Sequence, residues 1–181
     1  MLDTPPSRPS SPELDVLQGE GGRIEGWPAW AEHVRAALGE AARQAAPMFL
    51  QDDDFARWPL GEKACVESFD QWVMAPGRAQ ATLVALHWDA MLRLHPRWVR
   101  WHTPWGHRVR CRQWPQDELS SLEGFAPTLV VQGVLLMQMH EPERGLGHWS
   151  RDAREVRMAW ARCDAISQRS LDSGISATLG L

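Results

Sequence analysis

Apolar residues recur at spacings of three and four from Trp27 through Trp30, Val34, Leu38, Ala41 and Ala45, the stripe of a helix that buries one face. Pro28 suits its first turn, where a missing N–H costs nothing, and Pro47 ends it. APMFLQ (46–51) then predicts a short buried strand, with the acidic run Asp52, Asp53, Asp54 at its end. A second helix is predicted over 60–74, where Cys65, Phe69, Trp72 and Val73 share a face and APG (75–77) stops it. ATLVAL (81–86) is a continuous apolar run of the kind found in strands covered on both sides.

Helical spacing returns from His87 to Gly106, broken into two pieces at Pro96. HRVRCRQW (107–114) alternates like a strand, and APTLVVQGVLLMQMH (126–140) predicts two strands about Gln132 and Gly133. A last helix over 151–170 turns Val156, Ala159, Trp160, Cys163 and Ile166 inward. Strands alternating with helices imply an α/β fold, a mixed sheet with flanking helices closed by an antiparallel hairpin and preceded by an extra helix. The organisation expected is a disordered arm over 1–26, one domain over 27–170 and a tail over 171–181. The arm holds four prolines, four glycines and few large apolar groups, too little burial to offset the entropy of ordering.

Composition changes this picture in few places. The 181 residues carry a net charge of −4, yet from Ala90 to Gln116 there are six arginines and no acid. Three widely spaced cysteines, Cys65, Cys111 and Cys163, form no CxxC pair and predict reduced, buried thiols in a cytoplasmic protein. No apolar run approaches the ~20 residues of a membrane helix, so no membrane partner is expected. GEGG (19–22) lacks the GK[ST] ending of a phosphate loop, and no cofactor is expected.

The densest chemistry lies in HPRWVRWHTPWGHRVRCRQW (95–114), with five arginines, three histidines and four tryptophans. Arg97, Arg100, Arg108, Arg110 and Arg112 are candidate anion contacts, because a guanidinium fork matches phosphate oxygens. Trp105 is a candidate stacking or interface group, and Trp58 and Trp149 are candidate exposed anchors. The competing reading is structural: Val109 and Cys111 alternate with the arginines, one face core and the other solvated, and Trp98 and Trp101 pack.

Asp52, Asp53 and Asp54 are candidate ligands of a divalent cation, though aspartates after a strand also make turns and caps. The histidines show no HxxxH spacing, and G-x-S-x-G is absent.

FARWPL (55–60) leading into a helix, ATLVAL followed by HPRWVRW, then HRVRCR and a hairpin, resembles a family of bacterial proteins built on a single phospholipase-D-like module. The resemblance spans roughly residues 46–170. It implies that fold, and active relatives carry HxK(x)4D, in which the histidine attacks phosphorus and the lysine holds phosphate. The corresponding window, FAPTLVVQG (125–133), has neither residue, and the only lysine is Lys63. HVRAALGE (33–40) spells a degenerate H-x-R-x4-E, but on a helix residues i and i+2 point about 200° apart.

The function expected is therefore a non-catalytic cytoplasmic module that binds a protein or nucleic-acid partner through the surface where an active relative holds phosphate. The alternative is a phosphoryl-transfer enzyme with a relocated nucleophile, which requires His95, His102 or His107 to converge with arginines and Asp52–Asp54. Active relatives commonly place two modules together, in one chain or as a dimer, so with one module here the resemblance points to a homodimer.

Overall fold

The structure, a computed structural model, describes residues 16–77, 79–115 and 125–175. The chain runs β1 (Gly21–Glu25), α1 (Trp27–Gln44), β2 (Met48–Asp52), α2 (Lys63–Met74), β3 (Ala81–Ala85), α3 (Asp89–Leu94) and α4 (Pro96–His102). It continues with β4 (Val109–Gln113), β5 (Thr128–Val131), β6 (Leu135–Glu141), β7 (Leu146–Ser150), α5 (Ala153–Arg169) and β8 (Leu171–Asp172). One eight-stranded sheet has the order β1-β7-β6-β5-β2-β3-β4-β8. β2, β3 and β4 are parallel, and every other pairing is antiparallel.

Strand alternation divides the core between the two faces. Met48, Leu50, Leu83, Val109, Leu129 and Met137 pack beneath α1, α2 and α4 with most of the buried tryptophans. Phe49, Val84, Val130 and Leu136 face the other way and meet Val156, Ala159 and Cys163 of α5. Among the described helices only α5 covers that second face, and part of it is polar.

Order begins earlier than the sequence predicts. β1 lies within the expected disordered arm, and Leu17 is buried; residues 1–15 lie outside the described residues. β1 buries one side chain, Ile24, so it is held by the backbone ladder to β7 rather than by an apolar stripe that composition reveals. Arg151 fastens the same segment: its side chain donates to the Leu17 carbonyl at 3.1 Å and forms a bidentate pair with Glu40 at 2.8 Å. At the other end the domain runs past 170, since β8 pairs with β4 and Ile175 is buried.

β7 was missed because its run, LGHWS, carries two apolar residues beside glycine. Trp149 is consequently buried, not an exposed anchor, lying level with Gly22, where a side chain would come within 2.8 Å of the indole. Trp58 is buried too, edge-on to Trp30 at 5.0 Å and Phe55 at 5.2 Å.

Candidate functional site

The arginine-rich stretch does not form one surface. Arg97 and Arg100 stand exposed on α4, which packs on one side of the sheet through Trp98 and Val99. Arg110 and Arg112 alternate with the core residues Val109 and Cys111 and so lie on the opposite side. Arg108 precedes β4, where it donates to the carbonyls of Ala79 (2.9 Å) and Val73 (3.3 Å) and lies over the Trp72 ring. Arg112 donates to the Ser170 carbonyl, and Arg97 to that of Gly61 at 3.0 Å. Three of the five candidate anion contacts, Arg97, Arg108 and Arg112, thus donate to backbone carbonyls. Trp105 is half-buried against the core edge, 6.1 Å from the His107 ring. Arg110 and Arg112 do share a cavity of about 740 Å³ with Thr103, His107 and Asp172.

The histidines named for a relocated nucleophile are dispersed. Both nitrogens of His95 are committed in the core: Nδ1 accepts from Gly61 N at 3.1 Å and Nε2 donates to the Phe55 carbonyl at 2.9 Å. His102 is fully buried, stacks on Trp98 at 4.7 Å and donates Nε2–H to Val109 at 2.7 Å. Burial holds its pKa below the ordinary value. Val109 is level with Met48, four residues before Asp52 and two strands away. At strand spacings this puts His102 and Asp52 on the order of 15 Å apart, too far for one phosphate. His107 is exposed beyond the opposite end of β4 from Gln113.

The acidic run makes a turn. Asp52 Oδ2 accepts from Phe55 N at 2.7 Å and Asp54 N at 3.4 Å, and Asp54 Oδ1 accepts from Ala56 N at 2.8 Å. Burial raises the Asp52 pKa to about 6 against those hydrogen bonds, and it also raises that of Asp53. A cavity of about 200 Å³ here is lined by Asp52, Asp53, Asp54, Glu143, Arg57 and Trp27. The Arg57 guanidinium lies over the Trp27 ring, 5.0 Å from the centroid. Among the described residues no group of three or more His, Cys, Asp or Glu side chains is disposed to hold a metal.

A different row occupies the strand that the resemblance assigns to catalysis. In register across the α5 face lie Arg23 (β1), His148 (β7), Gln138 (β6), Thr128 (β5), Gln51 (β2), Val84 (β3) and Arg112 (β4). Its centre is neutral and largely self-satisfied. Gln51 Nε2 donates to Ala126 O at 2.8 Å and to Thr128 Oγ1 at 3.5 Å, while Gln138 Nε2 approaches Thr128 Oγ1 at 3.4 Å. The buried Oε1 of Gln51 has no hydrogen-bond partner among the described residues. His140 and His148 stand 5.7 Å apart at the end of this row. Burial lowers the pKa of half-buried His148, with Glu155 opposing and His140 assisting.

Sequence reasoning missed this row. The signal was a single polar residue within each apolar run, Gln51 in MFLQD, Thr128 in TLVV and Gln138 in LLMQMHE, but the register that aligns them is tertiary.

No family model matches the chain, and no curated protein sequence matches it. Solved structures do. The archaeal chromatin protein TrmBL2, whose structure is described as showing a novel mode of DNA binding, superimposes with a TM-score of 0.62 and 14% identity over 89% of this chain. This chain spans only 56% of that one. NucT from Helicobacter pylori gives a TM-score of 0.50 at 6% identity, covering 84% of this chain and 99% of NucT. Nuc from Salmonella typhimurium, a phospholipase D family member, gives 0.50 at 10% identity, covering 84% and 98%. With one mixed sheet between helices and these neighbours, the chain has a phospholipase-D-like fold.

Proposed function

We propose that this chain is a phospholipase-D-like module that binds nucleic acid without hydrolysing it. The observation that carries the reading is the centre of the sheet row through β5, where Gln51, Thr128 and Gln138 stand level. Amides and a hydroxyl that hydrogen-bond one another supply neither a strong nucleophile nor a cation for the phosphate. The nearby cleft of Asp52, Asp53, Asp54 and Glu143 repels an oxyanion. Anion contact is left to the arginines, of which Arg100 and Arg110 are exposed and make no side-chain hydrogen bond or ion pair with the described residues. The DNA-binding neighbour TrmBL2 favours nucleic acid over protein as the partner.

The test is anisotropy of labelled single- and double-stranded oligonucleotides at two salt concentrations, alongside phosphodiester turnover. Binding that weakens steeply with salt, with no turnover above the blank, is the expected result. Absence of binding at low salt points to a protein partner instead. The reading includes a cytoplasmic module that pairs as a homodimer; the molar mass from light scattering checks the pairing.

A second reading is favoured by one observation, the His140–His148 pair at 5.7 Å beside Gln138, with Arg23 level with His148. These are a half-buried imidazole, a second imidazole and a guanidinium on the sheet face that carries Thr128 of β5. Turnover of bis(p-nitrophenyl) phosphate that disappears in His148→Ala establishes this reading; no turnover in the parent protein ends it.

A further inference from the structure

We propose that the groove between α5 and the beginnings of β2, β3 and β4 binds a nucleotide, with its base on Trp160 and its phosphate on Arg110, a choice of ligand that rests on the nucleic-acid reading above.

The groove has a volume of about 370 Å³, within the range of small-ligand sites. One wall is helical. Trp160, Asp164 and Ser167 line it from positions i, i+4 and i+7 of α5, which place them on one stripe. The other wall is the sheet, where Phe49, Thr82 and Arg110 stand level across three adjacent parallel strands. Strand register and helical period therefore bring an indole, a carboxylate and a guanidinium to a single groove.

Each group suits a different part of one ligand. Trp160 is half-buried against the core beneath α5 and still lines the groove, so its ring is fixed in place for stacking. Base–aromatic stacking is tolerant of base identity. Arg110 is exposed and its side chain makes no hydrogen bond or ion pair with a described residue, in contrast to Arg108 and Arg112. Its fork is available to two phosphate oxygens. It also borders the larger cavity containing His107 and Arg112, so a second phosphate has somewhere to continue.

Asp164 decides against a bare oxyanion, which a carboxylate repels. Its Oδ2 accepts from Gln168 on the next turn at 2.8 Å, which leaves Oδ1 as an acceptor for the N–H edge of a base. A ligand that combines a planar ring, N–H donors and an anion is a nucleotide.

Calorimetry with GMP, AMP, CMP and inorganic phosphate, run beside the oligonucleotide measurement, tests this. The nucleotides are expected to bind and phosphate alone is not. Trp160→Ala and Arg110→Gln should each weaken nucleotide binding by about tenfold, whereas Arg93→Gln, exposed on α3 and outside the groove lining, should have no effect. Trp160→Phe, which keeps a ring, should retain most of the affinity; it holds the test open if the alanine variant unfolds.

Oligonucleotide binding that is indifferent to Trp160 and Arg110 overturns the groove and leaves the nucleic-acid reading intact. Nucleotide binding lost in both variants, with no oligonucleotide binding, does the reverse. Phosphate binding as tightly as the nucleotides, or no binding of any ligand, overturns the groove.

Discussion

His95 reaches 40 positions back along the chain to donate Nε2–H to the Phe55 carbonyl at 2.9 Å. Phe55 is fully buried and sits at φ 58, in the left-handed region, with Asp52 gripping its N–H at 2.7 Å. Backbone of that kind is strained for a residue with a side chain. The histidine and the aspartate together hold the turn that follows β2.

His95→Ala should therefore unfold at lower denaturant. It strands the Phe55 carbonyl and the Gly61 N–H, and such losses sum to about 3 kcal/mol. Urea denaturation followed by tryptophan fluorescence measures the change. Unaltered stability would mean that the two hydrogen bonds do not anchor this turn.

Asp52 predicts a pH dependence with a definite sign. Its carboxyl titrates near 6 in the folded protein against an ordinary 3.8, so the folded state binds the proton more tightly. The stabilising contribution is complete below about pH 3.8 and is lost as pH rises through about 6. Asp52→Asn keeps the acceptor for Phe55 N and removes the charge. It should be more stable than the parent by on the order of 2 kcal/mol at pH 8, with the difference shrinking toward pH 4. Paired urea curves across that range check it, and a constant difference would refute it.

Arg108 and Arg110 should respond oppositely to truncation. Arg108→Ala removes two hydrogen bonds to carbonyls and the contact with Trp72, a cost of about 1–3 kcal/mol. Arg110→Ala should leave the melting temperature unchanged and weaken nucleotide binding. A combined charge reversal of both would confuse folding with binding, so the two are measured singly.

The cysteines should be inert. Cys65, Cys111 and Cys163 are all buried. Burial raises the thiol pKa of Cys163 to about 12 and pushes that of Cys111 higher still. Since the thiolate is the reactive form, Ellman's reagent at pH 8 should modify none of them in the folded protein and all three after denaturation. Rapid modification of the native protein would place a thiol at the surface.

Much of the fold was legible in residue order. The stripe from Trp27 to Ala41, the break at Pro96, the alternation of Val109 and Cys111 and the turn at Gly133 each reported a local rule, helical or strand period or turn chemistry, that the tertiary structure kept. The mixed sheet followed from their alternation. β1 and β7 did not show, because Ile24 and Trp149 are single buried residues among glycines and polar neighbours. Their order comes from pairing with each other across more than a hundred residues.

The site was less legible for the same reason. The sequence determined which residue types were available: arginines with aromatic rings between 95 and 114, no lysine but Lys63, and no HxK on the strand after 125. Only the tertiary structure decided which of them meet. It sent Arg97 and Arg100 to one side of the sheet and Arg110 and Arg112 to the other, set Gln51 level with Thr128 and Gln138, and brought Trp160 over to the β4 side. Period fixes the face on which a side chain lies; register between strands distant in sequence fixes its neighbours, and that depends on the whole sheet closing at once.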